Sequence, residues 1–510
     1  MSVARTWAVA LTGLDGALIE VEADLSRQTP DFKIIGLPDK ALGEAHQRVH
    51  NACENSGLLL PRRRITVNLS PASLPKHGAG FDVAIAVAAL ATERSLDPAS
   101  LRRTVHVGEL GLDGRLRPVP GVLPAVLAAV RAGITRVAVP HANLAEAELV
   151  EGAEVLGAVS LLDVLRWHGL AVDDRPLPPV GIDTPPEPAP PRLELAEVIG
   201  QRDAVDAVVV AASGGHHLLM SGPPGAGKTM LARRLPGILP ELDDAAALQA
   251  ASVRSLGGAR VVRLERTPPF EAPHHTSSVA ALVGGGSRAI RPGAIARASG
   301  GVLFLDEAGE FASGALDALR EPLEHGSIRI ERAGASATFP ARFQLVLATN
   351  PCPCGAYGVP GGDCVCPPAG IRRYLGRLSG PIRDRIDIEL AVARVSVAHA
   401  QAAAARTVTT AQARARVAEA RSRAARRLRE TPWRTNAEVS GTWLRQGPLA
   451  PPPAVRRPLD AALHRGALTL RGYDRVLRVA WSHADLAARE RLELDDIGRA
   501  LYLKKGTTPL

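Results

Sequence analysis

Eight consecutive residues, Gly222, Pro223, Pro224, Gly225, Ala226, Gly227, Lys228 and Thr229, have the types and spacing of a loop that cradles phosphate. Glycines let the backbone approach an anion closely, and a compact ammonium can reach between phosphate oxygens where a planar guanidinium would crowd them. The chain spells its basic residues as arginine: of 61 Lys and Arg together, only 33, 40, 76, 228, 504 and 505 are lysine. Lys228 is thus the one lysine between Lys76 and Lys504. Downstream, Gly301-Val-Leu-Phe-Leu-Asp-Glu307 ends an apolar run in two carboxylates. Asp306 is suited to hold Mg²⁺ together with Thr229, and Glu307 to polarise an attacking water. The chemistry predicted is binding and hydrolysis of a nucleoside triphosphate, with ATP and Mg²⁺ as cofactors.

A second group of reactive residues follows directly. Four of the five cysteines stand as Cys352-Pro-Cys354 and Cys364-Val-Cys366, and Gly355, Gly358, Gly361 and Gly362 allow the chain between them to turn back. Thiols paired in this way read as metal ligands before disulfides. Structural Zn²⁺, free thiols and a redox pair all remain open. Cys53 stands alone in an amphipathic stretch and reads as a core residue.

These residues need a scaffold that brings loop and carboxylates to one edge. His217-Leu-Leu-Met220 before the loop reads as a buried strand, and Met230 to Leu235 after it as a helix. Val302 to Leu305 and Phe343 to Asn350 read as two further buried strands, the latter ending in an amide. Strands alternating with helices predict a doubly wound parallel sheet. Before them, Pro176 to Pro191 holds eight prolines and reads as a semi-rigid linker. The N-terminal part alternates strands (Ala17 to Ala23, Arg64 to Leu69) with apolar helices (Phe81 to Ala91, Pro124 to Arg131).

The whole chain has 510 residues, 46% hydrophobic and 22% charged, with a net charge of +9. The length predicts two or three domains. The arginine bias is spread along the chain, so the charge favours an acidic partner only modestly. The apolar start, Met1 to Leu11, has no small-residue cleavage site, and no run of about 18 apolar residues occurs. A cytoplasmic protein without membrane contact is expected.

Ile35-Gly-Leu-Pro-Asp39, Arg64-Ile-Thr-Val-Asn-Leu-Ser-Pro-Ala72, Leu74-Pro-Lys-His-Gly-Ala-Gly-Phe-Asp82 and Gly108-Glu-Leu-Gly-Leu-Asp-Gly114 resemble the YifB/ComM family of magnesium-chelatase-like proteins. The resemblance runs on to the C-terminus. It implies an α/β fold: an N-terminal Lon-protease-like α+β domain, then an AAA+ doubly wound parallel sheet with a C-terminal helical lid. The expected division is 1–172 for the first domain, 173–193 for the linker, 194–395 for the ATPase core with its cysteine-rich insertion at 352–366, and 396–510 for the lid. The protease chemistry of Lon is not expected. Its nucleophile loop reads Gly78-Ala-Gly-Phe-Asp82 here, and no lysine follows before Lys228 to activate a serine.

By the same resemblance Asn350 is sensor 1, which orients water. Arg385, in Ser379-Gly-Pro-Ile-Arg-Asp-Arg-Ile-Asp387, is the arginine finger that reaches a neighbouring subunit. Arg471 or Arg475 is sensor 2 of the lid. A homohexameric ring is implied. The resemblance does not require the cysteines, so a metal there would be structural. Glu271-Ala-Pro-His-His-Thr276 with Val283-Gly-Gly-Gly286 matches a family motif, read as a loop facing the pore or nucleotide, or as packing. The Arg-rich run Gln401 to Glu430 reads as a helix that could track a phosphate backbone or simply face solvent. Three functions stand. The first is a DNA-remodelling motor, a branch-migration helicase acting on single-stranded or branched DNA. The others are a magnesium-chelatase motor subunit and an ATP-gated protein remodeller.

Overall fold

The computed structural model describes residues 3–36, 40–173, 176–181, 193–286, 290–332, 335–359, 361–378, 380–395 and 407–505. Most of the expected linker (182–192), Ser379 and the start of the Arg-rich run (401–406) lie outside them. Two sheets organise the chain. The first is mixed and seven-stranded, in the order Asp31–Ile35, Arg64–Ser70, Asp15–Ser26, Ala4–Thr12, Thr104–His106, Arg136–Pro140, Glu154–Ala158. Its alternating strands bury one face: Ile19, Val21 and Ala23, and beside them Ile65, Val67 and Leu69. The helix Asp82–Leu90, buried at every position, covers that face.

The second sheet is five-stranded and wholly parallel. Its order is Phe270–Glu271, Val302–Leu305, Gln344–Thr349, Leu218–Ser221, Ile388–Ala391. Both faces are covered, which is why its strands read as continuous apolar runs. Leu218, Met220, Phe304, Val346 and Ala348 point to one core, shared with the helix Arg202–Gly214 and the C-terminal helices. Leu219, Leu303, Leu305, Leu345 and Leu347 point to the other. The expected α/β architecture is therefore present, with a helical C-terminal part built from Thr410–Leu428, Pro453–His464, Leu470–Leu486 and Leu494–Lys505.

The Arg-rich helix keeps Arg416, Arg426 and Arg429 exposed, as its solvent-facing reading expects, but four other arginines are engaged within the chain. Arg421 donates to Ala212 O at 2.6 and 3.0 Å, Arg423 to Asp485 O at 2.8 Å and Arg414 to Gly237 O at 2.8 Å. Arg427 pairs with the buried Asp485 and lies 4.2 Å over the Trp481 ring. Arg414 and Arg421 thus tie this helix to the helices Lys228–Ile238 and Arg202–Gly214 that flank the parallel sheet, and Arg423 and Arg427 tie it to Leu470–Leu486 within the helical part. Among the described residues no helix is long and apolar enough to cross a membrane.

The two parts are fused by packing. The helix Asp244–Leu256 places Leu248 and Ala251 in one apolar cluster with Val105, Val119, Val122, Val126 and Val139 of the first part. Gly121 N donates to Ser255 O at 3.2 Å.

Candidate active site

Registers in the parallel sheet align the strand ends. Ser221 lies opposite Thr349 on one side and Ala391 on the other, and Leu305 lies opposite Leu347. The chain leaving these strands enters one crevice at their carboxyl ends, carrying Gly222, Asp306, Asn350 and Val392. Gly222 has no room for a side chain: a Cβ would lie 2.1 Å from Val392 O. Gly225 and Gly227 have φ of 77° and 88°, a region that favours glycine. The helix Lys228–Ile238 starts at the loop, so its first amides face an incoming anion.

Side chains converge on this loop. Lys228 Nζ donates to Gly222 O (2.5 Å), Pro223 O (3.0 Å) and Asn350 Oδ1 (3.1 Å). Burial lowers the ammonium's pKa, and Asp306 and Glu307 oppose that. Thr229 Oγ1 donates to Asp306 Oδ2 at 2.6 Å, a pair of hard oxygen donors of the kind magnesium takes. Glu307 follows with φ 51°, in the left-handed region, and its amide donates to Asp306 Oδ1 at 3.0 Å. His275 Nδ1 lies 3.1 Å from Glu307 Oε2. From outside, Gln201 Nε2 donates to Ala226 O (2.5 Å) and Arg394 Nε to Pro224 O (3.1 Å). Their positions beside the loop come from the helix start at Arg202 and the end of the last strand. The sequence carries no motif that assigns them.

The three arginines are elsewhere. Asp387 precedes the strand Ile388–Ala391, so it sits at the amino end of the sheet, roughly 13 Å of strand from the loop. Arg475 pairs with Asp387 at 2.5 Å and donates to Arg385 O at 2.8 Å. Arg385 pairs with Glu324 and donates to Pro381 O at 2.6 Å. Arg471 is exposed, 3.7 Å from Asp384. Burial, then the charges of Arg320, Arg475 and Arg471, lower the Arg385 pKa, so these cations form one cluster. The fold brings Lys228, Thr229, Asp306, Glu307 and Asn350 together and keeps Arg385, Arg471 and Arg475 away from their own chain's loop.

Comparison with known proteins bears on this site. The family model for magnesium chelatase, subunit ChlI, matches residues 194–400, that for subunit ChlI of Mg-chelatase matches 21–143, and that for the ChlI C-terminal part matches 407–504. An uncharacterised protein of Mycobacterium tuberculosis is 49% identical over 511 residues, 99% of each chain. Competence protein ComM of Haemophilus influenzae is 44% identical over 403 residues, 77% of each, and YifB of Escherichia coli 42% over 394, covering 77% of this chain and 76% of that one. The chain belongs to the YifB/ComM family of magnesium-chelatase-like proteins. Membership makes the core an AAA+-type ATPase module, with ATP and Mg²⁺ as the cofactors that the family implies.

In this YifB/ComM chain the four cysteines do gather. Cys352 Sγ lies 3.3 Å from Cys354 Sγ and 3.7 Å from Cys364 Sγ, and Cys354 to Cys364 is 3.7 Å. All four sulfurs, Cys366 included, fall within 4.8 Å of one another. Sulfurs around a tetrahedral Zn²⁺ at the usual bond length would be about 3.8 Å apart, so the donor set fits such an ion. The Ala356 amide, then the Cys352 thiol, pull Cys354 down to about 6, favouring the thiolate that a metal needs. Cys364, against the pull of the Cys366 amide, is pushed up to about 11 by burial and its neighbouring thiols, and Cys366 is raised too.

In the first sheet's domain, Asp82 of the Gly78–Asp82 loop is buried and takes two bonds from Arg48, at 2.6 and 3.0 Å. Burial raises this carboxyl to about 6 against the pull of Arg48. Lys76, wholly buried, donates to the carbonyls of Gly36 and Pro71.

Proposed function

We propose that this chain hydrolyses ATP at the loop 222–229, works in a ring of identical subunits, and uses the cycle to remodel single-stranded or branched DNA as a ComM-like branch-migration motor. The observation that carries the hydrolytic part is the convergence of Lys228, Thr229–Asp306, Glu307 and Asn350 at one sheet edge. Lys228 and the helix amides bind phosphate, and Thr229 with Asp306 would hold the magnesium, which when bound neutralises phosphate charge. Glu307 accepts the proton of the attacking water, and Asn350 orients it. Arg385, clustered with Arg471 and Arg475 at the far end of the sheet, serves the site of a neighbouring subunit, which makes assembly part of the chemistry. The division at 172, 193 and 395 belongs to this reading, as does a structural Zn²⁺ on the four thiols. Peptidase activity has no place in it: Lys76 and Asp82 have backbone and Arg48 partners.

DNA as substrate is supported by family kinship to a competence protein and by the net charge of +9. The chelatase-subunit reading is supported by the family models' descriptions. Turnover measured with branched DNA, with a chelatase-type partner and with unfolded protein separates the readings. Stimulation by DNA, stronger at low salt, is expected, and turnover indifferent to every DNA tried would discard the motor's substrate. Lys228→Ala should lose ATP binding, and Glu307→Gln should keep it while turnover falls about 10²–10⁴-fold. Unchanged ATP affinity in Lys228→Ala would remove the site.

A further inference from the structure

The thiol cluster is not remote from the phosphate loop. Cys352 stands two residues after Asn350, whose Oδ1 takes Lys228 Nζ. Gly355, next to Cys354, has φ 79° and lies against Pro224 of the loop: a Cβ there would sit 2.4 Å from Pro224 Cδ. Beyond Cys366 the chain enters the helix Pro368–Leu375, and its Tyr374 returns to the site. The Tyr374 hydroxyl lies close to the Thr349 side chain and the Asn350 backbone. Its ring fills the space beside Gly309, where a Cβ would lie 2.7 Å from Cζ, two residues past Glu307. The segment therefore leaves the site at Asn350, touches the phosphate loop, and comes back behind both Asn350 and Glu307.

We infer that metal held by Cys352, Cys354, Cys364 and Cys366 and nucleotide held by the loop 222–229 are energetically coupled through the Gly355–Pro224 contact, so that each tightens the other. This rests on the proposed zinc and ATP sites. The physical ground is that the shape of the 352–366 turn depends on four sulfurs meeting at one point, and that shape sets where Gly355 presses on Pro224 and where Asn350 holds Lys228. A loop already braced by metal loses less freedom when it closes on phosphate. Linkage makes the effect reciprocal: if metal raises nucleotide affinity by some factor, nucleotide raises metal affinity by the same factor. Cys352, Cys354, Cys364, Cys366 and Gly355 act as positioning residues here and touch no reacting atom.

The test follows zinc itself. Full-length protein loaded with one equivalent of zinc is mixed with a colorimetric chelator, with and without saturating Mg²⁺ and a slowly hydrolysed ATP analogue. At equilibrium with the chelator, nucleotide should tighten zinc binding by about fivefold or more. Cys366→Ser should lose zinc and bind a fluorescent ATP analogue more weakly by a similar factor. Gly355→Ala should keep its zinc, because all four thiols remain, yet hold it with an affinity that nucleotide no longer changes. Wild-type protein that holds zinc and binds the analogue, but holds zinc with one affinity with or without it, would overturn the coupling while leaving both sites standing. Protein that takes up no zinc would overturn the metal site and the coupling with it, and protein that binds no analogue would overturn the nucleotide site first.

Discussion

Glu307 is held where an unassisted glutamate would not rest. Its φ of 51° lies in the left-handed region, at a cost of about 1 kcal/mol or more for a residue with a Cβ, and the only side chain paired with its carboxylate among the described residues is His275. With the carboxylate drawn toward His275, it is less free to take a proton from water. His275→Ala should leave ATP affinity unchanged and raise basal turnover several-fold, read from steady-state phosphate release; unaltered turnover would make the contact incidental. The convergence of Lys228, Thr229, Asp306 and Glu307 was legible in the sequence because these residues lie in two contiguous stretches, each next to an apolar strand. The His275–Glu307 pairing was not. It depends on the two-residue strand Phe270–Glu271 lying beside Val302–Leu305, and two residues carry no periodicity from which to read that neighbour.

Among the elements, the parallel sheet separates two kinds of charge. Its carboxyl end collects Lys228, Thr229, Asp306 and Asn350, the groups proposed to hold a triphosphate, and its amino end collects Arg385, Arg471 and Arg475 near Asp384 and Asp387. The strand pattern made the sheet predictable, since both faces are buried and the runs are apolar. What spacing could not say was the end of the strand at which Arg475 would lie. Asp387 is wholly buried. Burial alone would raise its carboxyl, but Arg475, followed by His216 and His217, holds it far below the usual range. Arg475→Ala would remove the one guanidinium paired with that buried charge among the described residues, leaving it His216 and the His217 amide. A cost of up to about 3–5 kcal/mol and a lowered melting temperature are therefore expected along with any kinetic loss. Arg385→Ala should fold normally, bind ATP, and lose turnover by roughly 10³-fold at most. Mixing it with Glu307→Gln subunits should restore some activity, because one interface then joins an intact Glu307 to an intact Arg385. No rescue, with monomers in the presence of ATP and Mg²⁺, would remove the finger and the ring together.

Taken whole, the molecule contains buried histidines that must stay neutral. His106 Nε2 and His168 Nε2 are 2.9 Å apart, flanked by Thr6 at 2.9 Å and Ser100 at 2.8 Å. Burial pushes His106 well below its ordinary value and His168 to about 4, and burial likewise takes His217 to about 4. Between these values and about 6.5 the unfolded chain binds protons that the folded chain refuses, so stability falls as pH drops through that window, by about 1.4 kcal/mol per histidine per pH unit. Thermal melts should decline from pH 6.5 toward 4.5, and a flat profile would count against the buried pair. Removing residues 1–172 should expose Leu248, Ala251, Val261 and Leu264 of the shared cluster, giving a core that aggregates where the full chain does not. That shared cluster also bears on inheritance. Gly121 takes φ 81°, a region that favours glycine, and a Cβ there would press on the side-chain ends of Leu11 at 2.8 Å and Leu256 at 3.0 Å, so a change on either side of the seam is judged by residues on the other. The two halves cannot be traded between relatives like interchangeable parts. A chimera joining the first 172 residues of one family member to the ATPase of another should fold only when the partners' seam residues are carried across with it, and the lineage would have had to revise both halves in step.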